Sequence, residues 1–197
     1  MDIVADFYRA FQDHFSPLTI VWTEQLPASM LRAGRDLEGY VVWELEPRGA
    51  AVDFSPLDQK CGTPLPELFK EWLGAYCALE DFDCGLVRLV HAPPDDPLRR
   101  IQELFEAEGD VVKRGLLPFG YEATLEAGPI CIDLNQGEVC FVDRSLKQEV
   151  QMFSSFEAML KCITLALDDL SASADDFARL DPGMSVDGKR YWSAALS

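Results

Sequence analysis

The order of periodic segments predicts an α+β fold, with an antiparallel or mixed sheet and helices packed against it. Two observations carry this. Apolar stripes at helical spacing recur at 3–15, 65–76, 98–105 and 156–167, while β-branched, alternating runs lie between them, and the two kinds do not follow the regular βαβ succession of a doubly wound sheet. The 197 residues, 48% hydrophobic and 26% charged, also have ordinary globular composition. A chain of this size buries roughly 70% of its unfolded surface without a disulfide or metal staple.

The elements follow in order. Ile3, Phe7 and Phe11, with Val4, Tyr8 and Phe15 beside them, form one helical stripe that Pro17 ends. Residues 18–22 (LTIVW) and 39–46 (GYVVWELE) read as strands, and after the turn at Pro47-Arg48-Gly49 residues 50–54 (AAVDF) return as a hairpin partner. The Ser/Pro/Asp/Gly-rich stretch 55–64 marks a boundary. Thr63 then caps a helix with Pro64 in its first position, where a missing N–H costs nothing. Leu65, Leu68, Phe69, Trp72 and Tyr76 give this helix its inner face.

Residues 86–90 (LVRLV) form a strand stopped by Pro93-Pro94, and Asp96-Pro97 opens a helix facing Leu98, Ile101, Leu104 and Phe105 inward. Ile130, Ile132 and Leu134 alternate toward the turn Asn135-Gln136-Gly137, and Val139 and Phe141 resume a strand, which is a β-hairpin. Ser154 and Glu157 fit a capping box for the helix 156–167. Beyond 168 the chain turns acidic and Ser/Ala-rich, a short helix or a connection, and Tyr191, Trp192 and Leu196 dock back onto the body. The reading is one domain: an N-terminal elaboration at 1–62 that extends the sheet, a core at 63–167 and an acidic C-terminal segment at 168–197.

Charge narrows the choice of partner. With 34 acidic and 17 basic residues the net charge is −17, so nucleic acid and anionic membrane are poor partners, and a basic protein is the complementary one. The N-terminal stretch opens on Asp2 and Asp6 and lacks the basic start of a signal peptide, and no apolar run approaches 18 residues. The six cysteines stand singly, several among apolar neighbours, as reduced buried thiols of a cytoplasmic protein do.

Chemistry-bearing motifs are sparse. A Ser-His-Asp or Cys-His site would have to use His14 or His91, the only histidines, which stand in unrelated contexts. HExxH and paired CxxC metal motifs are missing, as are Walker A, GxGxxG and GxSxG loops. Asp81 and Asp83 form a DxD pair of the spacing found in some metal-dependent transferases, but the signal is weak and a solvated turn is by far the better account. Glu122, Glu126, Asp133, Glu138 and Asp143 gather around the hairpin. Paired carboxylates can do acid–base work, but in so acidic a chain a solvated or partner-binding face is the better account.

Four pieces in order carry a family resemblance. Leu117-Pro118-Phe119-Gly120 leads into Ile132-Asp133-Leu134, then Val139 to Asp143, then Ser155-Phe156-Glu157, with the helix 65–76 upstream. This arrangement resembles the SUKH superfamily over roughly residues 63–167. The resemblance implies a SUKH-like α+β fold and a non-catalytic role, with neither cofactor nor metal. It further implies a cytoplasmic immunity protein that binds a cognate, basic bacterial toxin and occludes its active or substrate site. A regulatory or scaffolding member of the same superfamily is the alternative, and an enzyme using the hairpin carboxylates a second. Glu122, Glu126, Asp133, Glu138, Asp143, Asp81 and Asp83 are the candidate partner-binding residues.

Overall fold

A computed structural model describes residues 2–32, 34, 36, 38–123, 128–144 and 148–196. The fold is α+β and its sheets are antiparallel throughout. The main sheet has six strands in the order β10-β9-β8-β7-β6-β5. They are β5 (Phe82–Asp83), β6 (Val87–Leu89), β7 (Leu116–Glu122), β8 (Pro129–Asp133), β9 (Val139–Asp143) and β10 (Gln148–Phe153). The central strand β7 is buried along almost its whole length, which accounts for the apolar run LLPFG at its start. Ile130 pairs with Phe141 and Ile132 with Val139 across the predicted hairpin, and Gly137, at φ 79°, closes its turn.

One face of this sheet meets helices α1 (Ile3–His14), α3 (Glu67–Ala75) and α6 (Phe156–Asp168). Asp2 caps α1, accepting the Val4 and Ala5 N–H groups at 3.1 and 3.0 Å. Trp72 of α3 is the hub of the interface. Its ring lies 5.5–6.4 Å from those of Phe7, Phe69, Phe82, Phe119 and Phe156, mostly edge to face. These rings come from three helices and two strands. The Tyr8 hydroxyl donates to the Trp72 carbonyl at 2.6 Å and joins α1 to α3. On the opposite face α4 (Arg99–Ala107) leads into α5 (Gly109–Val112), whose Val111 packs with Leu116, Cys131, Cys140 and Val142 in a small second cluster.

After α6 come α7 (Ala174–Leu180) and α8 (Val186–Ala195). They bring Phe177 and Trp192 into the main core, both 0% exposed. They also cover the outer side of β10 along its second half. Ser185 Oγ and Trp192 Nε1 donate to the Gln151 and Met152 carbonyls at 2.9 and 3.3 Å, and buried Asp181 accepts the Ser154 N–H at 2.7 Å. All six cysteines are free thiols and five are buried; burial pushes Cys140 and Cys162 up to about 12.

Several local expectations are corrected. Residues 50–54 are not a strand: Val52 and Phe54 lie against α3 at Gly74, so their apolar faces serve a helix contact. The supposed boundary at 55–64 contains a helix, α2 (Ser55–Cys61), with Leu57 in the same core as the rest. Thr63 caps nothing, because the Asp58 carboxylate takes the Leu65 N–H at 2.8 Å and the Lys70 ammonium at 3.2 Å, and the helix starts at Glu67. Ser155, not Ser154, caps α6, since Ser154 is spent on Asp181.

The N-terminal strands do not extend the main sheet. β1 (Leu18–Val21) and β2 (Tyr40–Trp43) pair with each other, and β3 (Glu46–Pro47) with β4 (Tyr76–Cys77), which sits at the end of α3. The physical reason lies in the two-faced β1–β2 pair. Leu18, Val41 and Trp43 are buried against the body, whereas Val21 and Tyr40 are exposed. The pair caps the core as a layer instead of lengthening the sheet.

The tight seating of α8 gives the first prediction. A Cβ on Gly188 would stand 2.6 Å from the Gln151 carbonyl oxygen. Gly188→Ala should therefore lower unfolding stability by about 1–3 kcal/mol, as overpacking against backbone does. Gly109→Ala, which meets nothing within 4 Å, should change it by less than about 0.5 kcal/mol. Urea titrations of both variants against the parent measure this.

Candidate functional site

The N-terminal layer and the body enclose a cleft of about 620 Å³. The end of α1 supplies Phe11, His14 and Phe15, and the start of β1 supplies Leu18 and Thr19. Trp43 comes from β2, Glu80, Asp81 and residues 83–86 from β5 and its flanking turns, Leu167 from α6 and Leu170 from the connection to α7. Each is placed by a feature already described. Pro17 stops α1 with its apolar stripe incomplete, leaving Phe15 36% exposed at the mouth, and Leu170 stands 86% exposed beside it. His14 is fixed by its Nδ1, which donates to the Leu167 carbonyl at 2.7 Å. Trp43 is 2% exposed and its indole Nε1 has no hydrogen-bond partner among the described residues.

The floor is apolar and the rim is acidic. Glu80, Asp81, Asp83 and Asp169 line the cleft, and no Lys or Arg among the described residues does. Two of the four are engaged with cations. Asp83 receives Arg88 at 2.8 Å in a half-exposed pair. Asp81 accepts His91 Nδ1 at 2.7 Å, the His91 N–H at 3.2 Å and Arg100 at 2.9 Å. Glu80 and Asp169 meet no Lys or Arg among the described residues. Burial raises the Glu80 carboxyl above its ordinary value; His91 pulls it back and Asp81 adds to the rise. Asp169 is lowered by the Ser171 hydroxyl and N–H, which donate to it at 2.7 and 2.9 Å.

The DxD pair is therefore split by its surroundings. Asp83 lies in an exposed turn, where it accepts the Gly85 N–H at 3.0 Å, whereas Asp81 is a half-buried tie between β5, the end of β6 and α4. For Asp81 burial favours the neutral acid, but the hydrogen bonds from His91 and Arg100 outweigh it and bring the carboxyl down to about 2. The two histidines are far apart in role, His14 on the α6 carbonyl and His91 on Asp81.

The hairpin carboxylates do not form one group. Asp133 holds the turn, accepting the Asn135 and Gln136 N–H groups at 2.8 and 3.1 Å, and Glu138 stands opposite it. Glu122 and Asp143 lie toward the other end of the sheet, roughly 17 Å away by strand rise. Glu122 is 1% exposed and accepts the Tyr191 hydroxyl, so it is a buried anchor for α8 and not part of a solvated face. Asp143 is half-buried. Glu126 lies outside the described residues. Among the described residues no three His, Cys, Asp or Glu side chains are grouped to hold a metal, and no helix is long and apolar enough to cross a membrane.

Sequence reasoning thus singled out Asp81 and Asp83 but missed Glu80, Asp169, Trp43 and Thr19. Phe15 offered the one signal, an apolar residue kept at the end of a stripe just before a proline. What the cleft can do chemically is hold a long aliphatic cation, its stem on the floor and its head at the rim carboxylates.

Asp81 gives a pH prediction. Its folded value near 2 lies below the ordinary 3.8, so the stabilisation it confers is fully present above pH 4 and is lost as the pH falls from 4 toward 2. Asp81→Asn should cost on the order of 2 kcal/mol at neutral pH. The gap between parent and variant should close by pH 2 in denaturant titrations run across that range. No protein-family model matches the chain, and no curated protein matches it in sequence.

Proposed function

We propose that the protein binds a basic protein partner through the acidic-rimmed cleft, and that it acts as a cytoplasmic immunity protein, occluding the active or substrate site of a cognate toxin. The observation that carries this reading is the cleft itself: an apolar floor, four carboxylates and, among the described residues, no Lys or Arg in its lining. The excess charge supports it. Among the described residues, twelve lysines and arginines already lie within 4.0 Å of a carboxylate of the same chain, and the excess of acidic residues leaves charge for a basic partner to meet. The resemblance over residues 63–167 supplies the toxin-neutralising role, and the cleft joins that region to the N-terminal layer.

Buried apolar anchors would hold such a partner and the carboxylates would steer it. Expressed alone, the product of a neighbouring gene should stop growth, and co-expression with this protein should restore it. With that partner in hand, the association rate should fall about tenfold or more between 0.05 and 0.5 M salt, and Glu80→Gln with Asp169→Asn should reduce it at low salt. An association rate indifferent to both would remove the cleft from the reading.

A further inference from the structure

The main-chain bonds of β2 reveal which side of β1 is open. Arg32 N–H donates to the Val42 carbonyl at 2.9 Å and Asp36 N–H to the Tyr40 carbonyl at 2.8 Å, so these carbonyls point away from β1. Trp22 N–H donates to Gly39 at 2.8 Å, toward β2. In an antiparallel pair the directions alternate residue by residue. Thr19 and Val21, opposite Val42 and Tyr40, therefore turn their N–H and C=O groups outward, and neither has a partner there among the described residues. The contrast with the other edges is physical. β10 is covered by α8 along its second half, β2 by residues 30–32, and β5 is only two residues long.

An open, apolar edge is an aggregation hazard unless something blunts it or fills it. Here it is flanked by Val21, Trp22 and Tyr40, which are 56%, 37% and 40% exposed, and it runs directly into the cleft at Leu18 and Thr19. A strand laid along β1 would send alternate side chains to the inner side, into the cleft, and the others outward beside Val21 and Tyr40. The cleft asks for a cation with an aliphatic stem, and the unpaired indole Nε1 of Trp43, nine-tenths buried or more, is a donor left open in its lining. A second copy of this chain fits poorly, because each copy would bring its own carboxylates to a rim that already lacks cations.

We infer that β1 is a docking edge, on which an extended segment of the basic partner adds as a third strand, alternating lysine or arginine with apolar residues. This rests on the cleft being the partner site and specifies how it is filled. The cationic side chains enter the cleft toward Glu80 and Asp169, and the segment's main chain bonds to Thr19 and Val21.

The test uses the full chain and three synthetic octapeptides: alternating lysine and valine, the same peptide N-methylated at alternate residues, and alternating glutamate and valine. The lysine peptide should bind in low salt and protect the Thr19 and Val21 amides from hydrogen exchange, and N-methylation should weaken it about tenfold or more. Val21→Pro, which removes one outward donor on an edge strand, should weaken the lysine peptide similarly. If both lysine peptides bind equally and Glu80→Gln with Asp169→Asn weakens both, strand addition is overturned while the cleft remains a cation site. If the lysine peptide binds no better than the glutamate one, the cleft reading fails with it. Concentration-dependent dimerisation that itself protects Thr19 and Val21 would make a second copy the occupant and overturn the assignment.

Discussion

The ring cluster around Trp72 is the constraint from which the rest of the architecture follows. Five aromatic side chains from α1, α3, α6, β5 and β7 meet its ring within 6.4 Å, mostly edge to face, and rings packed this way tolerate little relative movement of the elements that carry them. Phe7 and Tyr8 commit α1 to this cluster. Once α1 is fixed there, Pro17 releases the chain at the edge of the body, and β1 and β2 must fold over as a separate layer instead of reaching the main sheet. The cleft is the space between that layer and β5, roofed by the end of α6.

The same arrangement explains how the protein divides its polar groups. Carboxylates inside the fold are all spoken for: Asp81 by His91 and Arg100, Glu122 by Tyr191, Asp181 by Ser154. Such groups are costly to bury and act as ties between elements that apolar contact alone would leave loosely registered. The C-terminal helices depend on two of these ties, which is why the acidic tail is ordered against β10. At the cleft rim Glu80 and Asp169 have no such cationic partner among the described residues, whereas Asp81 and Asp83 do. Apart from Arg88 and Arg100, which hold Asp83 and Asp81, many of the paired long cations sit in local pairs one helical turn apart, where they contribute little to stability.

Much of the framework was legible from residue pattern. The stripes of α1, α3, α4 and α6 and the β8–β9 hairpin follow from periodicity, and docking of Trp192 follows from the cost of exposing an indole. Local capping was less legible. Thr63 and Ser154 have the right chemistry for caps, but Asp58 and Asp181, distant or out of register in sequence, compete for the same groups. Residues 50–54 alternate like a strand, yet Gly74 offers Val52 and Phe54 a flat place on α3 that a strand partner does not match. The hairpin carboxylates looked like one cluster because five lie within 22 positions; strand geometry sends Asp133 and Glu138 to one end of the sheet and Glu122 and Asp143 to the other.

By itself the sequence determined the α+β class, the helical faces, the hairpin and the acidic character, because these depend on spacing along the chain and on composition. Only the tertiary structure decided that the sheet is a six-stranded antiparallel meander, that β1 and β2 stand apart from it, and that Phe15, Trp43, Glu80 and Asp169 share one cleft. Those residues are separated by up to 154 positions, and no local preference of any of them points to the others. What brings them together is the closing of α1 and α6 around one tryptophan.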